Sequence, residues 1–151
     1  MINWTCKSFD ELCLREWYNI SILRQQVFIV EQYCPYLDTD GKDLKAHHLI
    51  GRNEKGELLA YARLLPIGVS YEDKTSIGRI ASSDKARGMG IGRELLVHSI
   101  KWIEKLYGKT AIKIGAQCYL EKFYNKFDFQ KVSDIYLEDG IPHIDMEKVF
   151  D

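Results

Sequence analysis

The chain has 151 residues, 46% of them apolar and 28% charged, with a formal net charge of −1. This composition suits one globular domain, read as residues 1–151, and excludes an intrinsically disordered chain. The charge balance lacks the basic excess that a nucleic-acid partner requires, and no apolar run approaches the length of a membrane span. The opening residues, Met1-Ile2-Asn3-Trp4-Thr5-Cys6, lack a signal peptide's apolar run and cleavage site, so a cytoplasmic location is the expectation. Cys6, Cys13, Cys34 and Cys118 form no C-x-x-C pair and are expected to be free thiols.

Taken in order, residues 2–6 read as a short first strand. Ser8 and Glu11 have capping-box spacing, and Leu12, Trp17, Ile20, Leu23 and Val27 follow at near-helical intervals. These predict a helix over residues 10–30, with a break near Asn19. It ends in Val27-Phe28-Ile29-Val30-Glu31-Gln32, expected to be buried all round. Residues 33–45 form a loop in which Asp38, Asp40 and Asp43 suggest calcium. The EF-hand pattern fails at Lys42 and Asp43, so the loop is read as a solvated turn. Strands are expected at 47–52, 57–65 and 75–82, with a turn at Asn53-Glu54-Lys55-Gly56. His47 and His48 fall on opposite strand faces and are not expected to share a metal. Residues 93–107 form an amphipathic helix that Gly108 ends, and 111–116 alternate as a strand. The strand–helix–strand crossover predicts that 111–116 runs parallel to 75–82. A short helix at 119–127 and a hairpin, 131–137 with 143–150, close the chain. The class is α+β: a mixed, mostly antiparallel sheet with a central parallel strand pair, flanked by helices.

Between the 75–82 strand and the long helix lies Arg87-Gly88-Met89-Gly90-Ile91-Gly92-Arg93. Strand, glycine turn, helix is an arrangement that binds phosphate. Glycines let the backbone approach the ligand, and free N–H groups at the helix start face the anion, where the helix dipole adds positive charge. No Lys-Ser or Lys-Thr closes the loop, so it is not a P-loop, and its G-x-G-x-G spacing is one residue short of the dinucleotide fingerprint. Arg87, Gly90 and Gly92 fit the remaining pattern, [RQ]-x-x-G-x-[GA].

With that loop and this order of elements, the chain resembles the GNAT-type N-acetyltransferases. More narrowly it is similar to the ElaA-like branch, in blocks such as Val27-Phe28-Ile29-Val30-Glu31-Gln32, Ala60-Tyr61-Ala62-Arg63-Leu64-Leu65-Pro66, Ile77-Gly78-Arg79-Ile80 and Glu138-Asp139-Gly140-Ile141-Pro142-His143-Ile144. The resemblance covers about residues 24–147 and implies the GNAT-like acyl-CoA N-acyltransferase fold, with acetyl-CoA as cosubstrate and no metal. Backbone amides of Met89, Gly90, Ile91, Gly92 and Arg93, flanked by Arg87 and Gly88, would hold the pyrophosphate. Ile80-Ala81-Ser82 would line the pantetheine arm, with backbone groups of Ile80 and Ser82 pairing to it in a splay between the 75–82 and 111–116 strands. Gln117 stands where many members carry a cofactor-contacting asparagine. Tyr124 falls where many carry the tyrosine that protonates the departing thiolate. Asp128 replaces a usual glycine, in a turn that Asp tolerates. A homodimer is the superfamily habit.

Amide formation needs a neutral amine. Holding a lysine-like amine (pKa about 10.4) neutral at pH 7 costs about 4.6 kcal/mol, against about 1.4 kcal/mol for an α-amine near 8. The candidate bases are His143, Glu31 and Asp139, with a water relay as an alternative. Glu31 is expected in a low-dielectric pocket that raises its pKa, and the Ile80 amide is the candidate oxyanion donor. Arg63 and Arg79 are read as internal ion-pair partners, with binding of an acidic substrate group as the alternative. Small amines, polyamines, antibiotics and peptide N-termini all fit as acceptors, with neither nucleic acid nor membrane as partner. The rival readings are a catalytically silent acyl-CoA-binding regulatory domain and a nicotinamide-dependent oxidoreductase.

Overall fold

The computed structural model describes residues 1–150. Strands β1 (Asn3–Ser8), β2 (His47–Arg52), β3 (Leu58–Leu65) and β4 (Ser76–Ser82) form an antiparallel sheet in sequence order. Helix α1 (Leu14–Arg24) precedes β2, and α2 (Ile91–Tyr107) follows β4. Strand β5 (Ile112–Gln117) leads through α3 (Glu121–Asn125) to β6 (Gln130–Lys131), β7 (Tyr136–Glu138) and β8 (Ile141–Lys148). These make a second antiparallel sheet in which β8 pairs with β5, β6 and β7. Among the described residues no helix is long and apolar enough to cross a membrane.

Strand alternation explains the layers. In the first sheet Leu49, Ala62, Leu64 and Ile77 face one way and pack with Leu95, Leu96 and Ile103 of α2. Ile50, Tyr61 and Ala81 face the other way and meet Ile20 and Leu23 of α1. With both faces covered, β3 is buried along nearly its whole length.

Four expectations change. The first helix does not run from residue 10. Ser8 and Glu11 do form a capping box, but it closes only a 3-10 turn, Phe9–Glu11. A second box, Cys13 with Glu16, starts α1, so the break falls at Leu12-Cys13 and not near Asn19. Beyond Arg24 the chain widens into a π-helix, Gln25–Val30, whose residues are partly exposed rather than buried, Val30 at 64%.

The closing hairpin is tighter than expected. Asp139 (φ 51) and Gly140 (φ 77) alone make the turn, both left-handed as a two-residue hairpin loop requires. Its first strand is split into β6 and β7. The parallel pairing of β4 and β5 is confined to one end: Thr75 N–H donates to the Ala111 carbonyl at 3.0 Å, and Lys113 N–H to the Thr75 carbonyl at 2.9 Å. Beyond that bridge the strands part.

Candidate active site

The gap between β4 and β5 is a cleft of about 480 Å³, lined among others by Ile80, Ala116, Gln117, Tyr124 and His143. A β-bulge sets its β4 wall. Tyr61 pairs with Ala81 and Arg63 with Gly78, so Ala62 alone opposes both Arg79 and Ile80. The ladder is interrupted there, at the amide proposed as oxyanion donor. Ala81, an expected cofactor contact, is 3% exposed and points to the α1 side, so its side chain is turned from the cleft.

Arg79 holds the bulge with φ 50, a conformation that costs a non-glycine residue on the order of 1–2 kcal/mol. Its guanidinium offsets that cost: Nε donates to Asp38 Oδ1 at 2.9 Å, and Nη2 to the Asp38 carbonyl at 3.0 Å. Buried Arg24 bridges Asp38 and Asp43, at 2.9 and 2.6 Å. Arg63 spans Asp40 and Asp43, at 2.8 and 3.1 Å. The aspartate loop expected to be a solvated turn is thus the anionic half of an ion-pair network with Asp38 and Asp43 buried. Arg63 and Arg79 are internal partners, as read from the sequence. Burial alone would raise the Asp40 carboxyl, but Arg63 outweighs it and, with the Lys42 amide and Arg79, holds it down to about 2.

Gly88 (φ 84) and Gly90 (φ 72) take left-handed conformations in the glycine loop, and Gly90 is the N-cap of α2. A Cβ on Gly88, Gly90 or Gly92 would enter open space. The first helical bond runs from Glu94 N–H to the Gly90 carbonyl, so the amides of Ile91, Gly92 and Arg93 have no partner inside the helix and face outward. Such a surface fits a pyrophosphate. Met89, also expected there, already donates its N–H to the Ala86 carbonyl at 3.3 Å. Arg93 lies over the Phe127 ring at 5.6 Å. Arg87 Nη2 donates to Glu31 Oε1 at 2.7 Å and to the Ser82 carbonyl at 3.1 Å. The Ser82 carbonyl, one of the expected pantetheine contacts, is therefore engaged by Arg87.

The three candidate catalytic side chains separate. Tyr124 is 5% exposed, stacks edge-on with Phe123 and Phe129, and reaches the cleft. Burial, and then Tyr119, pushes its pKa well above the usual phenol value. His143 is also buried and lines the cleft. Its Nδ1 lies 2.7 Å from the Ile141 carbonyl, which can only accept, so Nδ1 carries a hydrogen and in the neutral ring Nε2 is the acceptor. Glu138 Oε2 sits 3.6 Å from that Nε2. Glu31 is not among the cleft residues. It is 39% exposed at the glycine loop and paired with Arg87, so the expected low-dielectric pocket is absent.

Gln117 pairs across the sheet with His143, and its side chain donates to Gln32 at 3.4 Å. Cys118 is half-buried beside the core. Sequence reasoning missed Tyr36, Tyr71 and Tyr136, which also line the cleft. Five of the nine tyrosines do so, and that abundance was the available signal. No group of three or more His, Cys, Asp or Glu among the described residues is placed to hold a metal.

The acetyltransferase (GNAT) domain family matches residues 36–150. An acyl-CoA N-acyltransferase from Pseudomonas aeruginosa is 42% identical, with TM-score 0.93 over 99% of this chain and 100% of that one. Escherichia coli ElaA is 38% identical over 80% of this chain and 78% of its own. The ElaA crystal structure superposes with TM-score 0.91, covering 98% and 99% of the two chains. An aminoglycoside 6'-N-acetyltransferase complexed with coenzyme A shares the fold at 15% identity, with TM-score 0.70 over 96% of each chain.

Proposed function

The chain belongs to the GNAT acetyltransferase family, and on that premise we propose that it moves an acetyl group from acetyl-CoA to a primary amine by direct attack on the thioester. One observation carries the reading. The β4–β5 gap opens beside the interrupted ladder at Ile80 and is lined by Tyr124 and by His143, whose Nε2 is free to accept. The outward amides of Ile91, Gly92 and Arg93 suit the donor's pyrophosphate.

His143 takes the proton that the attacking nitrogen must lose, at the Nε2 left open when Nδ1 bonds the Ile141 carbonyl. The Ile80 N–H donates to the thioester oxygen as charge collects there, an interaction of about 2.7–4 kcal/mol where it has been removed in other enzymes. The C–N bond forms, the C–S bond breaks, and the sulfur leaves with the electron pair. Tyr124 keeps its proton more tightly than a free phenol. It therefore serves the leaving sulfur as a hydrogen-bond donor, and the thiolate's proton is supplied through His143 or solvent.

A thermal melt with acetyl-CoA, CoA and NADH, followed by an amine screen for released thiol, tests this. Ligand at 100 times its Kd stabilises by about 2.7 kcal/mol, which moves Tm by roughly 5–11 °C for a chain of this size. The expected result is a shift with both CoA species and none with NADH, then thiol release with at least one amine. No shift with CoA removes the proposal. A shift without turnover on any amine leaves the silent acyl-CoA-binding domain in its place.

A further inference from the structure

Side chains of both charges line the cleft. Three basic side chains line it: Lys42, Arg63 and Arg79. The two arginines are paired with Asp38, Asp40 and Asp43, Arg63 through its Nη atoms while its buried Nε has no partner. Lys42 differs. It begins the short 3-10 turn Lys42–Lys45, is half-buried, and donates from Nζ to Ser70 Oγ at 2.9 Å. No carboxylate among the described residues lies within ion-pair distance of it. An ammonium has three donors, and one is accounted for.

The cleft also carries a carboxylate. Glu138 lines the cleft from β7, with its carboxylate 3.6 Å from His143 Nε2 and no lysine or arginine paired to it among the described residues. His143 is 92% buried by its 8% exposure, yet its Nε2 has no hydrogen-bond partner closer than that carboxylate. Next to the cleft residue Tyr71, Lys113 Nζ lies 4.8 Å from the ring centre and 3.9 Å from Asp145 Oδ2. A carboxylate without a lysine or arginine partner and an ammonium without a carboxylate partner thus line one cleft.

We propose that the acceptor is a zwitterion, an amine that also carries a carboxylate. Its nitrogen sits at Glu138 and His143, and its carboxylate sits at Lys42 Nζ and Ser70. This rests on the transferase reading for the role of the amine, but the binding site stands on its own charges. A diamine or polyamine would bring its second cation to Lys42 and be repelled.

The test is calorimetric binding to the CoA-saturated protein. The probes are glycine, β-alanine and longer ω-amino acids, each beside its amide, the matching amine without the carboxylate, and a diamine of equal length. At one chain length the amino acid is expected to bind at least about 10-fold tighter than its three counterparts. Lys42→Met is expected to abolish that preference, leaving the plain amine's Kd within about twofold and the CoA melt shift unchanged, while Lys42→Arg keeps it. Equal or tighter binding of the diamine, a preference that survives in Lys42→Met, or no discrimination anywhere in the series overturns the proposal. Thiol release measured on the same panel separates the two claims. Discrimination without turnover upholds the zwitterion site and removes the transferase reading, and turnover without discrimination does the reverse.

Discussion

Tyr124 carries two demands on one side chain. Its ring packs edge-on against Phe123 and Phe129, and the residue lines the cleft. Tyr124→Phe keeps the ring and removes only the donor. The expected outcome is a fall in kcat of about 10²-fold, with the acetyl-CoA melt shift intact. A variant that turns over at the wild-type rate would assign the tyrosine to packing alone. Its spacing from Leu120 and Phe127 was readable in the sequence but did not separate the two roles. Glu31 went wrong for a similar reason. Its apolar neighbours suggested burial, but the π-helix turns it to the surface, where Arg87 claims it. Lys42 left no local signal at all, because what distinguishes it is the missing carboxylate partner.

At the scale of elements, Glu16 ties α1 to the first sheet. It accepts from the Cys13 amide at 2.9 Å and from Lys7 Nζ at 2.9 Å, and Arg52 reaches it at 3.1 Å. Burial works to raise its carboxyl, but the Cys13 amide, Lys7 and Arg52 outweigh that and hold it down to about 2. A depressed folded pKa gives stability that is fully present above the unfolded value, near 4.5, and is lost as pH falls toward about 2. Glu16→Gln should therefore lower stability at pH 7 on the order of 2–3 kcal/mol, or roughly 5–10 °C in Tm. The gap to wild type should close between pH 4.5 and 2. A gap of constant size down to pH 2 would mean that shape, not charge, anchors the helix. The second capping box escaped the sequence reading because cysteine is not among the preferred N-caps, whereas Ser8-x-x-Glu11 advertised itself five residues earlier. The aspartate loop misled for a different reason. Its arginine partners lie 14 to 41 residues away, beyond any local pattern, so three carboxylates looked solvated. Strands β2, β3 and β4 and helix α2 were legible because their alternation and periodicity are local.

At the scale of the molecule, the two sheets meet along one short parallel bridge at Thr75 and Ile112. The crossover from β4 through α2 to β5 was readable from the chain, and it brings the strands together. The glycine loop also pointed to a ligand. That the strands would part after one bridge was not readable, and the bulge further along β4 is centred on an arginine rather than a glycine. The opening leaves strand-edge amides on β4 and β5 without partners across the gap, and a buried backbone donor without a partner costs free energy. The splay is therefore stable only because water, or a ligand's own amide groups, can reach it. Hydrogen exchange follows directly. In the free protein, amides of residues 78–82 and 114–117 should exchange faster than those of β2 and β3, which are paired on both edges. Saturating CoA should slow residues 78–82 and 114–117 together with 90–93, and leave β1 and β2 unchanged. Equal protection of all strands before ligand is added would mean that the gap closes in solution. Slowing at 90–93 alone would mean that the cradle binds phosphate while the splay takes no part. Joint slowing of all three segments is expected only if one extended ligand lies along the loop and between the sheets.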